Sequence, residues 1–223
     1  MKQSMARRLA PAGLAAFALV APGAHAAMVV YSNAGAFTAA SGATLHALPS
    51  GADAVAAITT VDNQLTLSTG GISSGLNTDW SVYADRLVGV EMAISGVESF
   101  NVNLGGDRYA FGFGVYESSD SSLAGCNWPC TDSTFTITLK KSGSTVGALN
   151  LAPTDNVAVF WGVHTDFAFD AVEIREAIGG PDNEIFGTFY TGVTPSPVPL
   201  PAAAWLLLSG LGGLGVLGRR RKH

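Results

Sequence analysis

The chain has 223 residues, of which 48% are hydrophobic and only 13% charged, a length that fits one domain of ordinary size with terminal segments added. All 17 acidic residues fall between Asp53 and Glu184, where only Arg86, Arg108, Lys140, Lys141 and Arg175 oppose them, so the middle of the chain carries a net charge of −12. A body this acidic repels phosphate backbones, which argues against nucleic acid as a partner and suits either solubility or divalent cations.

Residues 1–26 read as a secretory signal peptide. Lys2, Arg7 and Arg8 form a basic start, Leu9 to Val20 an apolar stretch, and Pro22-Gly23 breaks the helix before Ala24-His25-Ala26, a small-x-small cleavage site. Signal peptidase is therefore expected to cut after Ala26 and leave Ala27 as the first residue.

Residues 27–193 read as mostly β-structure. Asn33 to Ala40 is the one short helix expected. Tyr109-Ala110-Phe111-Gly112-Phe113-Gly114-Val115-Tyr116 alternates large and small residues, the period of a half-buried strand. Ser133–Lys140 is cleaner, with Phe135, Ile137 and Leu139 on one side and three threonines on the other. Further strands are expected at Val97–Leu104, Val146–Leu151, Val157–Val163, Ala168–Arg175 and Ile185–Tyr190. Turn signals at Lys141-Ser142-Gly143-Ser144 and Gly179-Gly180-Pro181-Asp182-Asn183 separate several of them. Short strands at this spacing predict a mainly β protein, a single jelly-roll-like β-sandwich.

Residues 194–201, Thr194-Pro195-Ser196-Pro197-Val198-Pro199-Leu200-Pro201, hold four prolines and should form an extended linker. Residues 202–218 carry no charge and predict a transmembrane helix at the short limit, about 25 Å long. Residues 219–223 form a basic tail, with Arg219, Arg220, Arg221 and Lys222 expected to stay cytoplasmic and leave the body outside. Several glycines weaken the span, which suits either a modest tail anchor or a helix held briefly and handed to a processing enzyme.

This order of proline motif, glycine-rich span and arginine cluster resembles the PEP-CTERM sorting signals of Gram-negative bacteria. Val198, Pro199, Leu200, Pro201 and Ala202, followed by Ala203-Ala204-Trp205-Leu206-Leu207-Leu208, look like the VPLPA variety, with Leu200 where the name-giving motif has glutamate. The resemblance implies sorting by an exosortase, with residues 198–202 as substrate. It also implies transient residence in the inner membrane, then delivery to the cell surface or an exopolysaccharide or biofilm matrix. Phe100 to Gly192 is similar to the β-sandwich bodies that often precede such tails. The segments Tyr109–Phe113, Asp132–Thr136, Phe160–Val163 and Val172–Glu176 carry that likeness.

Chemistry inside the body is thinly marked. Cys126 and Cys130, in Cys126-Asn127-Trp128-Pro129-Cys130, favour a structural disulfide in an oxidising compartment, and their spacing is one residue longer than that of a thioredoxin-like pair. Only His46 and His164 could add nitrogen ligands for zinc, and both read as ordinary surface or hydrogen-bonded histidines. Asp182, Asn183 and Glu184 after Gly179-Gly180-Pro181 suit either calcium or a solvated turn. No Gly-x-Ser-x-Gly, His-Glu-x-x-His or phosphate-cradling loop occurs. A serine with His164 and Asp166, or carboxylate pairs among Glu117, Asp170, Glu173 and Glu176, could be assembled on paper without distinctive spacing. No enzyme and no obligatory cofactor are expected. The alternatives are a carbohydrate-binding module, with or without calcium, using aromatics such as Trp80 or Trp128, and a secreted hydrolase.

Overall fold

The computed structural model describes residues 27–48, 54–56, 58–69, 75–78, 86–87, 89–95, 97–117, 133–178 and 184–197. These form twelve strands and one helix: β1 (Met28–Tyr31), α1 (Ala34–Ser41), β2 (Thr44–His46), β3 (Ala54–Ala56), β4 (Ile58–Thr60), β5 (Thr66–Thr69), β6 (Gly75–Thr78), β7 (Glu91–Ser95), β8 (Phe100–Tyr116), β9 (Thr134–Lys141), β10 (Ser144–Leu151), β11 (Ala158–Ile178) and β12 (Ile185–Gly192). All the strands join one antiparallel sheet, whose main path runs β10-β9-β11-β8-β12-β7-β6-β3. β1 adds to β11, β2 to β12, and β4 pairs β5, which pairs β8. The mainly β expectation and the single short helix therefore hold.

Helix α1 starts because Asn33, in an extended conformation, turns its side chain to accept the Ala36 N–H at 2.9 Å. It ends at Gly42, and its one fully buried apolar side chain is Phe37. The β9–β10 hairpin turns through Ser142 and Gly143, both with positive φ, as a two-residue turn matching strand twist requires. Asp170 secures that turn by accepting the Ser142 N–H at 2.9 Å.

Two expected pairs of strands are in fact two long strands. Val97–Leu104 and Tyr109–Tyr116 merge into the 17 residues of β8, and Val157–Val163 and Ala168–Arg175 into the 21 residues of β11. The register between them breaks between His164 and Ala171 on β11, opposite the stretch from Ala110 back to Asn103 on β8. Gly105, at φ +63°, lets β8 bend there, where a Cβ would stand 2.8 Å from the Gln64 carbonyl oxygen. Beyond the break, Ala171–Ile178 also pairs with β9, while Gly162–Thr165 also pairs with β1.

The halves on either side of this bend share one core. Phe186 of β12 lies 5.0 Å from Phe100, 5.6 Å from Phe135 and 6.0 Å from Phe113, ring centre to ring centre. Phe189 packs near Phe100, Phe111 and Phe113 at 6.2–6.3 Å. Phe186 and Phe189 are three apart, which regular alternation would place on opposite faces. A register shift between Gly187 and Tyr190, with Thr188 at φ +49°, brings both rings inward. Positive φ in a β-branched residue costs on the order of 1–3 kcal/mol, which the two buried rings more than offset.

Phe186→Ala should lower stability by about 3–5 kcal/mol in chemical denaturation, because three rings lose their common neighbour. Val193→Ala, at a side chain 66% exposed, should stay within about 0.5 kcal/mol of the parent. Equal losses would contradict this placement of the core.

Candidate functional site

The face of the sheet opposite the phenylalanine core carries an apolar groove. Along β8, Phe111, Phe113 and Val115 point to the core, so Gly112 and Gly114 fall on the other face. Gly162 pairs with Gly112 on β11, and Gly187 with Gly114 on β12. The missing side chains leave a trough, and aromatic rings lie in it. A Cβ on Gly112 would come within 2.7 Å of the Phe160 ring, and one on Gly162 within 2.9 Å of both Phe37 and Phe160. Phe37, Phe160 and Tyr190 pack with centroids 5.4–6.4 Å apart, and Tyr31 joins at 5.7 Å from Phe37.

Where α1 stops covering this face, a groove of about 410 Å³ opens. Leu45, Leu48, Leu87, Val90, Phe160 and Tyr190 supply most of its apolar wall. Arg86 stands at its rim, its guanidinium 5.3 Å from the centre of the Tyr116 ring. Thr188 forms part of the floor, and its hydroxyl would be 2.8 Å from a Cβ on Gly114. The lining offers few polar groups, so its chemistry is that of a binding surface for apolar or ring-shaped groups.

A second constellation was not foreseen from sequence. His46 Nδ1 lies 2.6 Å from Asp62 Oδ2, and Nε2 lies 2.7 Å from Thr191 Oγ1. Carboxylate, imidazole and hydroxyl stand in the order of a hydrolase triad. Here, however, His46 and Thr191 are each only 4% exposed and neither lines the groove. The chain of bonds ties the turn at residues 61–65 to β2 and β12, and Asp62 also caps that turn by accepting the Gln64 and Leu65 N–H groups. Partners 16 and 145 residues apart left no local signal in the sequence.

The other weighed groups are held locally. His164 is buried and donates through Nε2 to the Thr194 carbonyl at 2.9 Å, so it is a satisfied core histidine. Asp166 accepts the Ala27 N–H at 2.9 Å. Glu173 lies 3.7 Å from Lys140, and Glu176 accepts the Glu98 N–H at 2.9 Å. Glu117 is buried and accepts the Ser133 N–H at 3.0 Å. Glu184 is 1% exposed and not at the tip of a solvated turn; it sits one residue beyond the Ile185–Tyr116 pair, level with Glu117. Asp182, Asn183, Cys126, Cys130, Trp80, Trp128, Ala24, Ala26, residues 198–202 and residues 219–222 lie outside the described residues. Among the described residues, no three His, Cys, Asp or Glu side chains cluster as metal ligands, and no helix is long and apolar enough to cross a membrane. The expected span at 202–218 falls outside that region. No protein-family model matches the chain, and no curated protein is detectably similar to it.

Burial alone would raise the Asp62 carboxyl, but its bonds to His46, Gln64 and Leu65, with the charge on His46, outweigh that and hold it below the ordinary value. A carboxyl lowered by folding stabilises the protein above its unfolded range near about pH 4 and loses that contribution as pH falls through the lowered value. Asp62 is 41% exposed, so the effect is modest. Asp62→Asn should lower Tm by about 1–2 °C near neutral pH and converge on the parent as acid protonates the Asp62 carboxyl, as read from thermal scans across pH.

Proposed function

We propose that this chain is an exported, non-enzymatic β-sandwich protein, sorted by an exosortase to the cell surface or exopolysaccharide matrix of a Gram-negative bacterium. One observation carries the reading: Val198-Pro199-Leu200-Pro201-Ala202, an uncharged span of 17 residues and a run of four basic residues follow one another in that order. Proline lacks a backbone donor and resists helix, so a motif of this kind stays extended where an enzyme can bind it. The leader at residues 1–26 supplies the route across the inner membrane, with signal peptidase acting after Ala26. Exosortase then acts within residues 198–202, and the span is a temporary hold.

The jelly-roll-like sandwich is supported by the bend shared by β8 and β11 and by the meeting of Phe100, Phe135 and Phe186 from both sides of it. Long strands that switch layers through bulges are a common way to close a two-layer β-domain. The −12 charge between Asp53 and Glu184 keeps such a body soluble outside the cell.

A second reading, a carbohydrate-binding module, draws on the half-buried Phe160 and Tyr190 rings in the wall of the 410 Å³ groove. Aromatic faces of that kind can stack on sugar rings. Its calcium-dependent form would use Asp182, Asn183 and Glu184. Binding on a glycan array that Tyr190→Ala abolishes would favour this module, and loss on chelation would add calcium. Silence in both conditions would remove it.

For the sorting reading, Pro199→Ala together with Pro201→Ala should make the unprocessed chain the major species in the membrane fraction, as followed by immunoblot. Unchanged processing would contradict the assignment of the motif.

A further inference from the structure

Both ends of the described body converge on three consecutive residues of β11. At the front, β1 pairs Met28 with Thr165, and the preceding residue bonds to Asp166 both ways: the Ala27 N–H donates to Asp166 Oδ1 at 2.9 Å, and the Asp166 N–H donates to the Ala27 carbonyl at 3.2 Å. At the back, His164 Nε2 donates to the Thr194 carbonyl at 2.9 Å, and the Ser196 N–H donates to the Thr165 carbonyl at 2.7 Å. His164 and Thr165 are buried, and Ser196 is 6% exposed although it lies within the proline-rich stretch. The linker is thus fastened to the fold as far as Ser196.

We propose that Asp166 is the receptor for the α-amino group released at Ala27, so that removal of the leader creates an ion pair that locks the amino-terminal strand onto the segment that also holds the start of the tether. This rests on the export reading. Hydrolysis of the Ala26–Ala27 amide by water leaves a carboxylate on Ala26 and a protonated amine on Ala27. That nitrogen already stands at hydrogen-bonding distance from a half-buried carboxylate. Asp166 makes no ion pair with a lysine or arginine among the described residues, so the new ammonium supplies its cation. A bond with a charge on the acceptor alone becomes an ion pair, with opposite charges on donor and acceptor. A chain cut elsewhere would place its amine one residue or more away, about 3.8 Å per position.

The test compares two forms of the protein recovered from producing cells. One has the natural junction, and the other has a serine inserted between Ala26 and Ala27. Asp166→Asn, which still accepts an N–H but carries no charge, should lower Tm by about 4 °C in the first form and by less than about 1 °C in the second. The α-amine of the parent should also react with an acylating reagent near neutral pH about ten times more slowly than that of the inserted form, as read by mass spectrometry. Amino-terminal sequencing of each form fixes the cleavage point. Retention of the leader in the parent overturns the export premise and with it the pairing, and a start at a residue other than Ala27 overturns the pairing alone. A correct start with equal Tm losses in the two forms, or equal acylation rates, overturns the pairing alone.

Discussion

The antiparallel pairing of β8 with β11 is the constraint on which the rest of the body depends. These strands of 17 and 21 residues are the spine of the sheet: β9 and β1 pair with β11, β5 and β12 pair with β8, and the remaining strands are added through β9, β5 and β12. Their shared break in register, between His164 and Ala171 on β11, divides the sheet into two halves whose phenylalanines meet. It also puts the residues that grip both ends of the body, His164 to Asp166, at the place where the strand changes direction. A straight pair of strands would offer neither the common core nor that gathering point.

The same spine explains why the outer face is apolar. Residues 110–116 of β8 are all buried, so both faces of the sheet are covered there. On one side the cover is the phenylalanine core. On the other it is α1 and the rings of Phe37, Phe160 and Tyr190, which need the glycines at 112 and 162 for room. The groove beside Arg86 is where that second cover stops. Its wall is well shaped and poor in polar groups, and the triad-like bonds of His46, Asp62 and Thr191 hold strands together in a buried position.

How much of this was legible in the sequence follows from the range of the forces involved. The alternation Phe135, Ile137, Leu139 announced β9 within a residue, and Asn33 announced the start of α1, because side-chain period and capping are local. The expected strands Val97–Leu104 and Tyr109–Tyr116 left residues 105–108 between them, whereas the backbone passes through as a bend at Gly105 beside Gln64, a contact some 40 residues distant that no local pattern encodes. The short strands before residue 99 carried no strong period; β1, β2, β5 and β7 emerged as partners of β11, β12 and β8, and β3, β4 and β6 as partners of one another or of β5 and β7. Ser196 looked like part of a free linker, and its burial depends on the carbonyl of Thr165. Charge and terminal composition, by contrast, need no fold to be read, and the expectations for the two ends rest on them alone.

The proposed delivery of this chain concerns an acidic body, covered on both faces of its spine along residues 110–116 and held at Ala27 and Ser196 by neighbouring residues of β11. The measurement that tests this most directly is the intact mass of the protein recovered from producing cells. The account predicts a mass lacking residues 1–26 and lacking the span and basic tail from residue 203 onward, with the cut falling among residues 198–202. A mass that still includes residues 203–223 would contradict it.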